Sequence, residues 1–145
     1  MPSPHRARRL ALQGLCCLDA QGAKAVPLVH EFIADSREPD ETLRVAGQLL
    51  TEAYADSPAC DALLARHAHH WELNRLAMVD RNILRLAVHE LRGALAPTKV
   101  VITEAIRLAR EFSTAESPRF INGVLDAIAR DLAGSGSRAE EEQQG

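Results

Sequence analysis

The stretch APTKVVITEAIRLAREF (Ala96–Phe112) decides the fold. Behind Pro97, the residues Val101, Ala105, Leu108, Ala109 and Phe112 recur at i, i+4, i+7, i+8 and i+11, the spacing of one helical face. Downstream, Ser113–Pro118 reads as a polar loop, and Ser117-Pro118 places a capping hydroxyl before a proline at the first helical position. The helix that follows buries Ile121, Val124, Leu125, Ile128 and Leu132. From Gly134 on, the composition turns to Gly, Ser, Glu and Gln, so residues 1–133 are expected to form the folded domain and 134–145 a disordered acidic tail.

Upstream, Gly93–Pro97 is a break, placed near the boundary between two lobes. Before it, Leu76, Val79, Ile83, Leu86 and Ala87 describe a buried central helix. Ser57-Pro58 is a second cap-plus-proline start, with Cys60, Leu63, Leu64 and His67 facing inward as far as Trp71. A helix over about Asp40–Tyr54 carries Leu43, Ala46, Gly47, Leu50, Ala53 and Tyr54 inward, with Gly47 as the point of close helix approach. A short helix after Pro27 turns Val29, Phe32 and Ile33 inward. The first helix starts near His5 or Arg6. Its stripe is Ala7, Leu10, Ala11, Gly14, Leu15 and Leu18, with Arg6, Arg9 and Gln13 off the stripe and Arg8 on its flank. Gly14 should weaken that helix by about 0.5–1 kcal/mol relative to Ala. The sum is all-α: about seven helices in a compact two-lobed bundle, too irregularly spaced for a coiled coil.

Composition agrees and excludes much else. Apolar residues make up 46% and charged residues 26%, too apolar for a disordered chain. With five aromatics (Phe32, Tyr54, Trp71, Phe112, Phe120) there is little to favour sheet. The longest run free of acidic and basic residues is nine, Leu10–Leu18, against the ~20 a membrane-spanning helix needs. Cys16, Cys17 and Cys60 are odd in number and lack metal-type spacing, so a disulfide scaffold is not expected and the cytoplasm is the default compartment. Net charge is −3, which argues against a general nucleic-acid binder. Its distribution is uneven: residues 1–18 carry Arg6, Arg8 and Arg9 without an acid, whereas 138–145 set Arg138 against Glu140, Glu141 and Glu142.

The sequence offers little chemistry. His67, His69 and His70 form the most metal-like string, but no further ligand converges on them, and no metal is expected. Adjacent Cys16 and Cys17 cannot both face one site from a helix, so one is expected in the core and the other exposed. Phosphate-cradling glycine loops, nucleophile elbows and H-E-x-x-H patterns do not occur, and neither a catalytic residue nor a cofactor is expected. Paired acids such as Asp40-Glu41 sit at helix starts, where they favour the dipole. The arginine opening is the exception. Its guanidinium forks suit phosphate oxygens, although three arginines at a helix start are more often a solvated face.

Four separated segments then resemble one family in order and spacing. They are RARRLALQGL (Arg6–Leu15), RLAMVDRNILRLAVHEL (Arg75–Leu91), Ala96–Phe112, and SPRFINGVLDAIA (Ser117–Ala129). They are similar to the opening, the central helix, the P-x-K-V-x-I-N-E-A-I segment and the F-V-N-G-V-L-D signature of NusB, the bacterial antitermination family. The resemblance implies two helical lobes and a non-enzymatic role. Such proteins pair with the ribosomal protein NusE and bind the boxA element of nascent RNA as a heterodimer. With other Nus factors and RNA polymerase they suppress termination, chiefly on ribosomal RNA operons.

Carried over by position, the resemblance implies RNA contacts at Arg6, Arg8, Arg9, Gln13, Arg119, Phe120 and Asn122, and partner contacts near Asp80, Glu116 and Phe120. Phe120 is either a stacking ring for a base or a core ring beside Val124, and Gly123 would permit close helix approach. Two positions depart from the family: Cys16 stands where many members carry Tyr, and Thr103 where the usual residue is Asn. The alternatives are a protein-only scaffold or a homodimer with its RNA face masked. The NusB-like domain of ribosomal RNA methyltransferases is a third, but no Gly-rich cofactor-binding region follows the helical part.

Overall fold

A computed structural model describes residues 4–68 and 75–144, with 135–144 as backbone only. Among them are seven α-helices: α1 (Pro4–Gln21), α2 (Val26–Ala34), α3 (Asp40–Ala55), α4 (Ser57–His67), α5 (Met78–Gly93), α6 (Thr98–Phe112) and α7 (Ser117–Gln144), with a 3-10 turn at Ala23–Ala25. The described residues contain no strand. The prolines act as read: Pro97 immediately precedes α6, and Pro58 and Pro118 sit in the first turns of α4 and α7. Trp71, His69 and His70 lie outside the described residues.

Two groups of helices share one core. The first is α1 packed on α2 and α3; the second is α4–α7, in which α6 lies along α7 and α5 touches every other member. Helix α5 also packs on α1 and joins the groups. The division falls at Asp56, between α3 and α4, rather than at Gly93–Pro97, which is a turn inside the second group. There Ala94 takes a left-handed conformation (φ 49°), and the Leu95 amide donates to the Glu90 carbonyl at 3.1 Å, which closes the end of α5. The fully buried residues Leu12, Leu50, Leu64, Ile83, Leu84, Leu86, Leu108, Ile121, Leu125 and Ile128 draw on both groups. Leu132 is the last residue of α7 packed on this core, and the helix is described to Gln144.

Helix α1 is fastened to α5 at both ends. Near its start, Arg8 reaches Glu90 with Nε 3.0 Å from Oε2 and Nη2 2.8 Å from Oε1, both side chains buried. Near its end, Asp19 accepts from Arg81 Nε and Asn82 Nδ2, each at 2.9 Å, and Arg85 spans Asp19 and Asp61. Burial alone would raise the Asp19 carboxyl. The hydrogen bonds from Arg81 and Asn82, with the charges of Arg81 and Arg85, hold it below the ordinary carboxylate range. Asp56 behaves alike: burial opposes the charge, but His89 and Arg92 hold its carboxyl low.

Three local readings change. Phe32 is 51% exposed, not inward, because Val29 and Ile33 already fill the one face α2 turns to α1 and α3. Gly47 has open space where a side chain would be, so no helix approaches there. The close approach is at Gly14, where an added Cβ would lie 2.8 Å from Val29 Cγ1 and 3.0 Å from both Leu50 methyl carbons.

That contact sets the sign of a substitution. Gly14→Ala gains up to about 1 kcal/mol of helix propensity but overpacks a seam that costs about 1–3 kcal/mol to force open. The expected outcome is a net loss of stability, read from the urea midpoint at unchanged slope. Acid should act at the joints. Because Asp19 and Asp56 are held low in the fold, their contribution is full above the unfolded value of about 4 and lost as pH falls through the lower folded value. Melting curves between pH 7 and pH 3 should show the parent losing stability below about pH 4, and Asp19→Asn losing less over the same interval.

Candidate nucleic-acid interface

At about 100° per residue, Arg6, Arg9 and Gln13 share one face of α1, while Arg8 is turned about 200° from Arg6. The structure keeps that geometry. Arg6, Arg9 and Gln13 are exposed, and Arg8 is buried against Glu90. The guanidinium of Arg8 is therefore committed inside the protein, and of the three arginines only Arg6 and Arg9 belong to the outer edge.

That edge is not a bare row of cations. Arg6 Nη1 lies 3.2 Å from Glu38 Oε2, ahead of α3. Arg9 lies over the ring of Phe112, 5.5 Å from its centroid, with its Nε 3.3 Å from Glu111 Oε2 on α6. His5 bridges two carboxylates, with Nδ1 2.7 Å from Glu104 and Nε2 2.7 Å from Glu111. Arg107 reaches the same acids at 3.8 and 3.7 Å. The start of α1 is thus crossed by a mixed-charge strip that runs onto the second half of α6.

Where α6 ends and α7 begins, two clefts open. The larger, about 620 Å³, is lined by Arg110, Ser113, Thr114, Arg119 and Asn122 among others. Arg110 and Arg119 are exposed and make no ion pair among the described residues. The smaller, about 200 Å³, is lined by Arg75, Asp80, Glu116, Ser117 and Phe120. Helical spacing separates the residues around the start of α7: Arg119 and Asn122, three apart, face the first cleft, while Glu116, just ahead of the helix, and Phe120, four apart, face the second. Phe120 is half-buried, packed on the core and lining the cleft at once.

Asp80 is buried. One of its oxygens accepts from Ser113 Oγ at 2.6 Å and the other from Ser117 Oγ at 2.9 Å. It fastens the loop before α7 to the first turn of α5, so its action on a neighbour runs through the position of that loop. Gly123 is exposed with open space around it and approaches no helix. Thr103 is exposed on α6.

The remaining reactive residues are structural. His67 bonds Asp131 at 2.8 Å across α4 and α7, and among the described residues no three His, Cys, Asp or Glu side chains form a metal-holding group. Cys16 and Cys17 are both half-buried rather than one in and one out. Burial first, and the Asp19 charge second, push the Cys16 thiol up to about 11. Burial and Asp56 push Cys60 up to about 12. Both stay protonated near neutral pH, which leaves them poor nucleophiles. No helix among the described residues is long and apolar enough to cross a membrane.

Sequence reasoning missed Arg110, Glu111 and Phe112. Arg107 and Arg110 are three apart on the outer side of α6, a legible pair. That His5 and Arg9 from the start of α1 reach Glu111 and Phe112 on α6 is a tertiary fact that periodicity does not carry.

Comparison with known proteins agrees along the chain. The family model described as NusB family matches residues 5–130. A transcription antitermination protein NusB from Koribacter versatilis is 43% identical over 88% of this chain and 88% of its own length. One from Symbiobacterium thermophilum is 36% identical over 95% of this chain and 96% of its own. Among solved structures, a T. maritima NusB superposes with a TM-score of 0.81 at 32% identity, covering 90% of this chain and 93% of that one. A crystal structure of the antitermination factors NusB and NusE in complex with dsRNA gives 0.78 at 26% identity, covering 88% and 96%. With the helix order, the arginine-edged first helix and these matches in agreement, the chain belongs to the NusB family.

Proposed function

We propose that the chain is a non-enzymatic transcription antitermination factor that holds boxA-type single-stranded RNA jointly with a NusE ribosomal protein. Its place is in the cytoplasm, on nascent ribosomal RNA transcripts, within a complex containing RNA polymerase and other Nus factors. The observation that carries the reading is the continuity of the outer edge. Arg6, Arg9 and Gln13 on α1 lead through Glu111 to Arg107 on α6, one helical turn from Arg110, which with Arg119 and Asn122 lines the larger cleft. Guanidinium groups suit phosphate oxygens, and Phe120 offers ring surface to an unstacked base. The smaller cleft beside it, with Glu116 and Phe120 on its rim and Asp80 fixing its wall, is the proposed partner contact.

The charge balance supports shared rather than solitary binding. Several edge cations already face carboxylates, so a phosphate chain gains only a small net attraction from this protein alone. A partner that adds cationic surface raises that gain without changing the edge. RNA affinity should therefore rise when NusE is added and fall as salt rises.

Replacing Arg6 and Arg9 together with Gln is expected to weaken binding of a boxA-like RNA by roughly tenfold in low salt, with unfolding and NusE affinity near those of the parent. Arg8→Met should do the reverse. It leaves Glu90 buried without its partner and costs about 3–5 kcal/mol of stability, read by urea denaturation. An Arg6/Arg9 variant that binds RNA as tightly as the parent would overturn the assignment of the edge. For the second cleft, Glu116→Lys should weaken NusE binding by about an order of magnitude in calorimetry. Unchanged heats would place the partner elsewhere. A parent that forms only a self-associated species in light scattering, with RNA and NusE both present, would favour a masked homodimer instead.

A further inference from the structure

We propose that Glu111 is a built-in competitor for the RNA backbone, an affinity-setting residue that occupies the cationic cradle on the outer edge until a phosphate displaces it. The proposal rests on the reading of that edge as the RNA surface. Three basic side chains from two helices converge on this one carboxylate: His5 Nε2 at 2.7 Å, Arg9 Nε at 3.3 Å and Arg107 Nε at 3.7 Å. The carboxylate and Arg9 side chains are 30% and 45% exposed, so solvent and a long polyanion reach both. A phosphate oxygen is an acceptor of the same charge and similar reach, and it meets the same donors.

Glu104 is placed differently. Its side chain is only 17% exposed, and it holds the other ring nitrogen of His5 at 2.7 Å. It anchors His5 from behind, while Glu111 faces outward. Both ring nitrogens of His5 lie within hydrogen-bond distance of carboxylate oxygens, one on each acid. The cradle is two guanidinium groups and an imidazole gathered on one removable carboxylate. Bound RNA must either turn Glu111 away from Arg9 or tolerate its charge beside a phosphate, and each lowers affinity. Arg9 keeps its seat over Phe112 when Glu111 leaves, so the cradle does not collapse with the exchange.

The test measures binding of a fluorescent boxA-like single-stranded RNA to the full chain, with and without NusE, at fixed pH and at two salt concentrations. The proteins are the parent, Glu111→Gln, Glu111→Asp, Arg9→Gln and the Arg9→Gln/Glu111→Gln double variant. Glu111→Gln should bind about two- to fivefold tighter than the parent in low salt, the scale of one exposed ion pair, with the gain shrinking in high salt. Glu111→Asp should stay near the parent. In the Arg9→Gln background the gain should fall by more than half, because the competition acts mainly through Arg9. A Glu111 that merely ties α1 to α6 predicts the opposite sign: weaker RNA binding and a lower Tm in Glu111→Gln. That result, or equal affinity at both salts, would overturn the proposal while leaving the RNA surface in place. A parent that binds no RNA even with NusE would instead remove the reading on which the proposal stands.

Discussion

The buried pair of Arg8 and Glu90 is the constraint on which the outer surface depends. Taking both charges out of water is expensive, and their attraction repays it only with fork-to-carboxylate geometry. Sliding α1 by one residue would carry Arg8 through about 100° and leave Glu90 alone in the core. The pair therefore fixes the rotation of α1 together with its apolar face, since Arg8 falls inside the arc that Leu12 and Leu15 bury. The same rotation sends Arg6, Arg9 and Gln13 outward. A buried ion pair thus decides which cations meet solvent.

How much of this was legible follows from what each signal encodes. Helix starts at Ser57-Pro58 and Ser117-Pro118 were readable because proline's fixed φ acts on the local backbone alone, although neither hydroxyl caps: Ser57 Oγ donates to the Ala53 carbonyl and Ser117 Oγ to Asp80. The inward faces of α5, α6 and α7 were readable because their burial has a helical period. Phe32 was not, since a nine-residue helix with Val29 and Ile33 already inward has no second face to bury. Gly14 and Gly47 look alike in sequence and differ only in what lies opposite, Val29 and Leu50 in one case and open space in the other. The same limit governs the site. Family resemblance brought Arg8 forward with its neighbours; its place on the flank of the apolar stripe was legible, and its burial against Glu90, 82 residues away, was not.

The residues drawn from the start of α7 divide by spacing into two surfaces. Arg119 and Asn122 line one cleft, Glu116 and Phe120 the other, and a single half-buried helix turn stands between them. Asp80 holds that turn through Ser113 and Ser117, so both clefts take their shape from one carboxylate at the start of α5. Neighbouring residues are thereby parted between two surfaces, and Phe120, to which the resemblance gave both an RNA and a partner role, lines only the smaller cleft. Adjacent positions on a helix lie about 100° apart and meet different neighbours.

The acids on the arginine edge bear on how such a protein works. A strip of unopposed cations would attract any polyanion, since phosphate attraction carries no sequence information. Pairing Arg6 with Glu38 and Arg9 with Glu111 lowers that general attraction without removing the donors. Exposed pairs of this kind are worth about 0–1 kcal/mol each, too little to lock the edge and enough to tilt a weak equilibrium. Under the proposed function, what remains must come from base contacts and from a partner's surface. A body with a net charge of −3 then suits a protein that binds one RNA in company better than many alone.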